Sequence, residues 1–145
     1  MANEQNKSIA HRFIQELFTE GKVDEAKNFV TPDVVYHGLE DVRGLEDFKK
    51  WIIEEHKSFP DMQITIVEDI AEGSNVAVRW TLKATHEGDF AGLPASHKKL
   101  EAHGADIFHF EKDKIKEAWT IFDALKPALQ IGIVESLQPV QSEKL

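Results

Sequence analysis

The stretch LEAHGADIFHFEKDKIKEAWTIFD, from Leu100 to Asp123, decides the fold. Apolar and polar residues alternate on both sides of the EKDK segment, the pattern of two half-buried strands joined by a tight turn. A two-residue loop at Lys112 and Asp113 pairs Glu111 with Lys114. The same register then sets Asp106 opposite Trp119 and Asp123 opposite Ala102. The sequence therefore predicts an antiparallel hairpin as the centre of the protein.

Strand-like and helical segments extend outward from this hairpin. Upstream lie an alternating strand over Asn75 to His86, preceded by an EGSN turn, and a further alternating run from Met62 to Ile66. Apolar steps of three and four residues indicate helices over Asn3 to Thr19, Val23 to Val30 and Leu45 to Phe59, with a short strand at Val34 to Gly38 and a last helix near Leu125 to Ile131.

Helices followed by long antiparallel strands define an α+β fold. We expect a curved antiparallel sheet wrapped on the N-terminal helices into a conical barrel that encloses a hydrophobic pocket. The convex face of the sheet is expected to form a homodimer. The residues assigned to that face are Thr81, Thr85, Ala118, Thr120 and Phe122.

Composition narrows the class of protein. The 145 residues include 17 Lys and Arg against 26 Asp and Glu, a formal charge of −9, which disfavours nucleic acid and membrane surfaces as partners. No phosphate-binding glycine motif occurs, and the absence of cysteine excludes disulfides and thiol catalysis. We expect one soluble, cytoplasmic domain over 1–145, with its core at about 9–132 and a polar tail at 133–145.

Two aspartates carry the candidate acid–base chemistry. Asp123 ends a strand in which Trp119 shares its face, so the pattern directs this carboxylate toward the apolar interior. On the predicted register Asp106 shares that face, and two carboxylates on one half-apolar wall have pKa values that are pushed apart. Two structural interpretations stand beside this one: Asp123 as the cap of the following helix, and Asp106 as an ion-pair partner of Arg79 or Lys83.

Histidines are the second group of candidates, because histidine carries protons near neutral pH. His86 shares the strand face of Trp80, and His37 follows Tyr36 in the segment expected to rim the pocket. No pair of histidines shows the spacing of a metal site.

The remaining histidines are weaker candidates. The predicted register turns His103 and His109 away from the face of Asp123, and a slip of one residue would reverse that relation. His11, His56 and His97 are expected at the surface or in packing contacts.

Taken together, these motifs resemble the SnoaL-like polyketide cyclases, a branch of the NTF2-like, ketosteroid-isomerase-like superfamily with a cystatin-like cone. The resemblance covers about Ile9 to Gly132. The matching motifs are the strand Val76 to Thr81, the TH pair Thr85-His86, the spacing of Gly88, Phe90, Gly92 and Pro94, the DIF triplet Asp106 to Phe108, and W-x-x-x-D at Trp119 and Asp123.

This resemblance implies a dimeric α+β cone that binds a small hydrophobic carbonyl compound and uses neither a metal nor an organic cofactor. It also implies that an aspartate at the end of the last strand, here Asp123, is the acid or base. A histidine on the preceding strand assists in that family, and His109 is nearest in sequence, although the predicted register turns it outward.

The resulting hypothesis is proton abstraction beside a ketone or ester carbonyl, followed by intramolecular carbon–carbon bond formation. Asp123 takes the proton, and an apolar wall of Trp119, Trp80 and Phe108 raises its basicity by desolvation. The enolate oxygen then needs a hydrogen-bond donor. The candidate donors are His86, His37, Tyr36 and a protonated Asp106.

Two other functions remain open at this point. The same cone is suited to a non-catalytic protein that binds a hydrophobic metabolite, with Asp123 as a helix cap only. An isomerase or epoxide hydrolase of the superfamily is the other alternative. An epoxide hydrolase needs an arginine between two aspartates on the pocket wall, so the face occupied by Arg79 decides that point.

Overall fold

The computed structural model describes residues 2–134. The first helix, α1 (Ala2–Phe13), continues directly into a π-helical segment (Ile14–Thr19). A separate 3₁₀ segment follows (Val23–Asn28). Two further helices follow, α2 (Leu45–Ser58) and α3 (Leu125–Ile131). The predicted third and last helices are present in these places. The predicted second helix is a 3₁₀ segment that ends at Asn28, and Val30 already belongs to a strand. The predicted polar tail lies mostly at 135–145, outside the described residues.

Six strands form one mixed sheet. They are β1 (Val30–His37), β2 (Val42–Arg43), β3 (Gln63–Glu72), β4 (Asn75–Thr85), β5 (Lys99–Glu111) and β6 (Lys114–Phe122). Their order is β2-β1-β6-β5-β4-β3. β1 runs parallel to β6, and every other neighbouring pair is antiparallel. The α+β class, with a curved sheet and N-terminal helices, is confirmed.

The strict alternation of β4 determines which face of the sheet is buried. Val76, Val78, Trp80 and Ala84 are buried, and the residues between them are more exposed, as the pattern predicts. α1 and α2 cover this inner face. Phe13 of α1 lies in aromatic contact with residues of the π-helical segment, the end of the 3₁₀ segment, α2 and the sheet, namely Phe18, Phe29, Tyr36, Phe48 and Phe108.

A β-bulge in the central hairpin changes the predicted register. The turn is as expected, with Glu111 opposite Lys114 and Phe110 opposite Ile115. His109, however, lies opposite Glu117, so Lys116 has no partner on β5. Beyond this extra residue every pair is shifted by one position relative to the prediction. Asp106 therefore faces Thr120, and the predicted pairing of Asp106 with Trp119 is wrong.

This shift exchanges the two faces of β6. Ala118 is buried, and Thr120 and Phe122 share its side, whereas Ile121 is 61% exposed on the other side. The expectation that Ala118, Thr120 and Phe122 form the convex face is therefore wrong. The convex face instead carries Trp119 and Ile121, next to Ile107 of β5.

None of the helices within residues 2–134 has the length and apolar character needed to cross a bilayer.

Gly104 provides a test of how closely the inner face is packed. A β-carbon built there would lie 2.6 Å from the β-carbon of Phe122 and 2.7 Å from the Trp80 indole. We expect Gly104→Ala to lower the free energy of unfolding by about 1–3 kcal/mol, because the crowded neighbours must move. Urea unfolding measures the change, and His103→Ala on the outer face of the same strand is the control. Equal stability of Gly104→Ala and the wild type would contradict the close packing.

Candidate active site

Asp106 is a buried carboxyl group held by hydrogen-bond donors from neighbouring strands. Its side chain lies on the inner face of β5, and the residue is 5% exposed. The Tyr36 hydroxyl donates to Oδ2 at 2.5 Å, and the Trp80 indole Nε1 donates to Oδ1 at 3.1 Å. A buried carboxyl with an oriented donor on each oxygen has the features of an acid–base site.

The sheet brings these side chains together because their strands are consecutive in the order β1-β6-β5-β4. Tyr36 lies opposite Ala118, and Asp106 lies opposite Thr120 and Val78. Trp80 lies opposite Gly104, where the lack of a side chain leaves room for the indole. The geometry thus depends on β1, β4, β5 and β6 at once.

Burial dominates the ionisation of this cluster. Desolvation raises the pKa of the Asp106 carboxyl, and hydrogen bonds from Tyr36, Thr120 and Trp80 oppose that rise. The pKa of the Tyr36 hydroxyl is raised well above its ordinary value by burial and by the neighbouring carboxylate. The carboxyl therefore keeps its proton to higher pH than a free aspartic acid, while Tyr36 stays a donor.

Aromatic side chains pack around the cluster. Tyr36 lies 5.2 Å from Trp51 and 5.8 Å from Phe48, measured between ring centroids. Phe108, two residues beyond Asp106, is fully buried against Phe13. Four predicted site residues, Tyr36, Trp80, Asp106 and Phe108, thus share one inner face.

Asp123 does not lie in that interior. It is exposed, and its Oδ1 accepts hydrogen bonds from the backbone N–H groups of Leu125 (3.2 Å) and Lys126 (3.3 Å) at the start of α3. This is the geometry of a helix cap. The prediction that Asp123 points into the apolar interior is wrong, because the bulge at Lys116 turns the end of β6 over.

Trp119 and His37 are also on the outer face, contrary to the prediction that they line the pocket. The His37 ring stacks on Trp119 at 5.2 Å, and its Nε2 lies 2.6 Å from Glu117. The hydrogen bond to Glu117 raises the pKa of His37. His109 packs edge-on against Trp119, so it faces outward as expected.

His86 is buried, but it lies far from Asp106. It directly follows β4 on the inner face and is 0% exposed. His86 lies eight positions after Val78, which is the partner of Asp106. Eight positions of extended strand span about 25 Å. The structure therefore separates two residues that the sequence hypothesis placed in one catalytic group.

Two further residues of this region were not foreseen. Thr120 faces Asp106, but the unshifted register assigns it to the opposite face. Glu55 lies one helical turn after Trp51 on α2, and burial raises the pKa of its carboxyl. The spacing of Phe48, Ile52 and Glu55 on one side of α2 is the sequence signal that points to Glu55.

The position of Arg79 bears on the epoxide hydrolase alternative. It lies on the outer face and is exposed, with its Nε 2.7 Å from Glu68. Arg79 therefore takes no part in an interior Asp-Arg-Asp arrangement. The ion pairs proposed between Asp106 and Arg79 or Lys83 are excluded for the same reason, because both cations are exposed.

Two grooves in the described part of the chain lie away from Asp106. The structure has grooves of about 690 Å³, between the π-helical segment and β3, and about 500 Å³, between α1 and Asn28, and neither includes Asp106. Trp51, Leu82, Phe90 and Phe122 are only partly buried against the core. These four side chains are among the places where the hydrophobic core reaches solvent.

Comparison with known proteins agrees with this architecture. The structure resembles TsrD from Streptomyces laurentii, with a TM-score of 0.82 and 21% identity over 90% of this chain and 97% of that chain. It also resembles a SnoaL-like polyketide cyclase from Agrobacterium tumefaciens C58, with a TM-score of 0.75 and 20% identity over 88% and 98% of the two chains. At these identities the likeness establishes an NTF2-like α+β fold.

The family follows from the sequence itself. The family model for SnoaL-like polyketide cyclases matches residues 8–131, which include every strand of the sheet. The chain belongs to this family. No match was found among the curated proteins.

The raised pKa of Asp106 predicts how stability depends on pH. The native state holds this proton to higher pH than the unfolded chain, so the stabilisation is complete below about pH 3.9 and is lost as pH rises through the folded pKa. The unfolding free energy of the wild type should therefore fall relative to Asp106→Asn as pH rises from 4 to 7. Urea unfolding at intervals of pH measures this difference. The exposed Asp113→Asn variant is the control, and a flat or rising difference for Asp106→Asn would contradict the assignment.

Proposed function

We propose that this protein catalyses an acid–base reaction on a small, hydrophobic carbonyl compound, with Asp106 as the acid–base group. An intramolecular aldol-type ring closure is the reaction that we favour. The observation that supports this is the buried carboxyl of Asp106, hydrogen-bonded to Tyr36 and Trp80 within an aromatic interior. Membership of the SnoaL-like family is consistent with a small-molecule substrate.

The proposed reaction returns its proton, so no co-reactant is consumed. Asp106 in its ionised form takes a proton from the carbon beside a carbonyl, and the C–H electron pair becomes the enolate. The enolate carbon attacks a second carbonyl carbon of the same molecule, which forms the ring bond and leaves an alkoxide. The protonated Asp106 then gives its proton to the alkoxide.

Tyr36 is suited to stabilise the enolate oxygen in this reaction. Its hydroxyl lies beside the carboxyl and stays protonated because burial raises its pKa. A donor of fixed direction in a dry site stabilises developing negative charge on an enolate oxygen by about 3–4 kcal/mol. Tyr36 donates its single hydroxyl proton to ionised Asp106, so it turns to the enolate oxygen once Asp106 has taken the substrate proton. Asp106 and Tyr36 then supply a base and an oxyanion donor at one point.

The surroundings favour an uncharged, apolar substrate. The inner face near Asp106 presents Val78, Trp80 and Phe108, and the cations of β4, Arg79 and Lys83, lie on the other face. Entry requires displacement of side chains at the partly buried rim, because the interior around Asp106 is closely packed. A hydrophobic ligand can replace these aromatic contacts with its own.

Two matched variants test which aspartate is the acid–base group. We expect Asp106→Asn to lower the rate of deuterium exchange beside the carbonyl of 2-tetralone by roughly 10²–10⁴-fold, because the base is removed. Asp123→Asn should retain the rate within about twofold, since Asn still caps α3. NMR in D₂O measures the exchange. Loss in Asp123→Asn with retention in Asp106→Asn would assign the base to the end of β6 instead.

A binding protein without catalysis is the second candidate. The position of Asp123 favours it, because the aspartate that the family resemblance implies as acid or base lies at the surface and caps α3. The exchange experiment separates the two candidates. A carrier binds 2-tetralone without accelerating exchange, whereas the proposed enzyme does both.

We also propose that two copies associate through the outer face of the sheet, in the cytoplasm. This face carries the exposed apolar side chains of Ile70, Ile107 and Ile121, which are 66%, 36% and 61% exposed. Trp119 lies among them, between His37 and His109. A two-fold pairing of such faces buries the isoleucines of both copies against one another.

A charge in the centre of this face tests the association. Ile121→Glu should convert a dimer into a monomer, because two carboxylates would be buried near the two-fold axis. Light scattering coupled to gel filtration gives the mass. Ile53→Glu, which alters an exposed isoleucine on α2, should leave the dimer intact. A wild-type protein that is monomeric at 100 μM would contradict the proposal.

A further inference from the structure

His86 has one ring nitrogen that is fully occupied. Its Nδ1 accepts a hydrogen bond from the backbone N–H of Ser96 at 3.2 Å and lies 2.9 Å from the Ser96 hydroxyl. That hydroxyl oxygen accepts from the backbone N–H of Lys98, which leaves its own proton for Nδ1. Because Nδ1 is an acceptor, the ring proton is on Nε2, and Nε2–H is a donor.

Nε2 has no acceptor. It is the single fully buried side-chain nitrogen or oxygen without a hydrogen-bond partner in the part of the chain that the structure describes. A buried donor without a partner is costly, and native proteins rarely keep one unless a water molecule or a ligand completes it. The tautomer imposed by Ser96 thus presents an unused N–H to the apolar interior.

Aromatic rings pack against His86, and hydrogen bonds hold the chain around it. The Phe59 ring centroid lies 5.9 Å from that of His86, and Phe90 lies 5.0 Å from Phe59. Ser58 Oγ donates to the carbonyl of Asp89, which fastens the segment 87–98 to the end of α2. At Gly88 a β-carbon would lie 2.2 Å from the Lys57 carbonyl oxygen, so only glycine permits this close approach.

The backbone also fixes the ring. The His86 N–H donates to the carbonyl of Lys98, and the His86 carbonyl accepts from the N–H of His97. The chain that leaves His86 therefore reverses and pairs with it at His97 and Lys98. This pairing places the neighbouring Ser96 against the His86 ring. The direction of Nε2–H is set by backbone geometry and does not depend on a mobile side chain.

We infer that His86 Nε2–H is a binding-site donor for a neutral carbonyl oxygen of a small molecule, in a subsite separate from Asp106. This rests on the proposed function only in that the interior admits a carbonyl compound. A neutral acceptor fits because the ring is uncharged in this tautomer and its aromatic neighbours offer no cation. The separation of about 25 Å along β4 means that a ligand reaching both groups is elongated and oxygenated at both ends.

The experiment uses two probes that differ only in the carbonyl, 2-tetralone and tetralin. In protein labelled with ¹⁵N in the histidine rings, 2-tetralone should shift the Nε2 resonance of His86, and tetralin should not. In His86→Phe, affinity for 2-tetralone should fall roughly tenfold, as for the loss of one hydrogen bond, while affinity for tetralin is unchanged. Calorimetry measures both affinities.

A second variant separates positioning from packing. Ser96→Ala keeps the His86 ring but removes the hydroxyl that fixes its tautomer, so it should weaken 2-tetralone binding and leave tetralin binding unchanged. Equal losses for the two probes in both variants would show a packing role and overturn the inference. A cross-relaxation signal from Nε2–H to a long-lived water that persists with saturating 2-tetralone, with no Nε2 shift, would show a structural water and also overturn it.

The outcome is independent of the proposed reaction. An Nε2 shift by 2-tetralone without catalysed exchange supports the His86 subsite and contradicts the role of Asp106. Catalysed exchange that depends on Asp106 without an Nε2 shift supports the reaction and overturns the His86 subsite.

Discussion

One unpaired residue in the central hairpin determines what the interior of this protein contains. Lys116 is the extra residue of a β-bulge, and it turns the rest of β6 over relative to β5. Thr120 is thereby directed toward Asp106, and Asp123 is directed to the surface, where it caps α3. This shift decides which side chains of β6 line the inner face.

The cluster around Asp106 combines an unfavourable burial of a carboxyl group with hydrogen bonds that offset part of that cost. A carboxyl group removed from water is unfavourable in its charged form, and the raised pKa of Asp106 expresses that cost. The donors from Tyr36 and Trp80 offset part of it. What results is a carboxyl that exchanges a proton nearer to neutral pH than an exposed aspartate, next to a phenol that remains a donor. This pairing of a base with a hydrogen-bond donor is suited to proton transfer at carbon.

The local patterns of the sequence predicted much of the fold. The alternation of β4 identified the buried face from Val76 to His86, and Pro60 correctly marked the end of α2. The same alternation predicted Trp80 as a site residue, because periodicity within one strand is the most reliable signal in a sequence. Tyr36 was predicted from its place in the segment expected to rim the pocket. Asp106 and Phe108 were placed on the inner face through the regular hairpin register, and they lie there although that register is wrong on β6.

The errors near the end of the central hairpin have one origin. Asp123, Trp119 and the β6 residues of the convex face were assigned by extending a regular register from the turn, and all of them follow Lys116. A bulge inserts one residue without changing the alternation on either side, so Ile115 and Trp119 each look correct locally. The same limit applies to His86, because the pairing of its Nδ1 with Ser96 depends on a chain reversal that periodicity does not describe.

The register of the hairpin is therefore the point to measure. Cross-strand nuclear Overhauser effects between backbone protons in ¹⁵N- and ¹³C-labelled protein identify which residues of β5 and β6 face each other. The account predicts that Asp106 is paired with Thr120 and Ile107 with Trp119. Contacts that pair Asp106 with Trp119 would show a regular hairpin, return Asp123 to the interior and contradict the assignment of Asp106 as the central acid–base group.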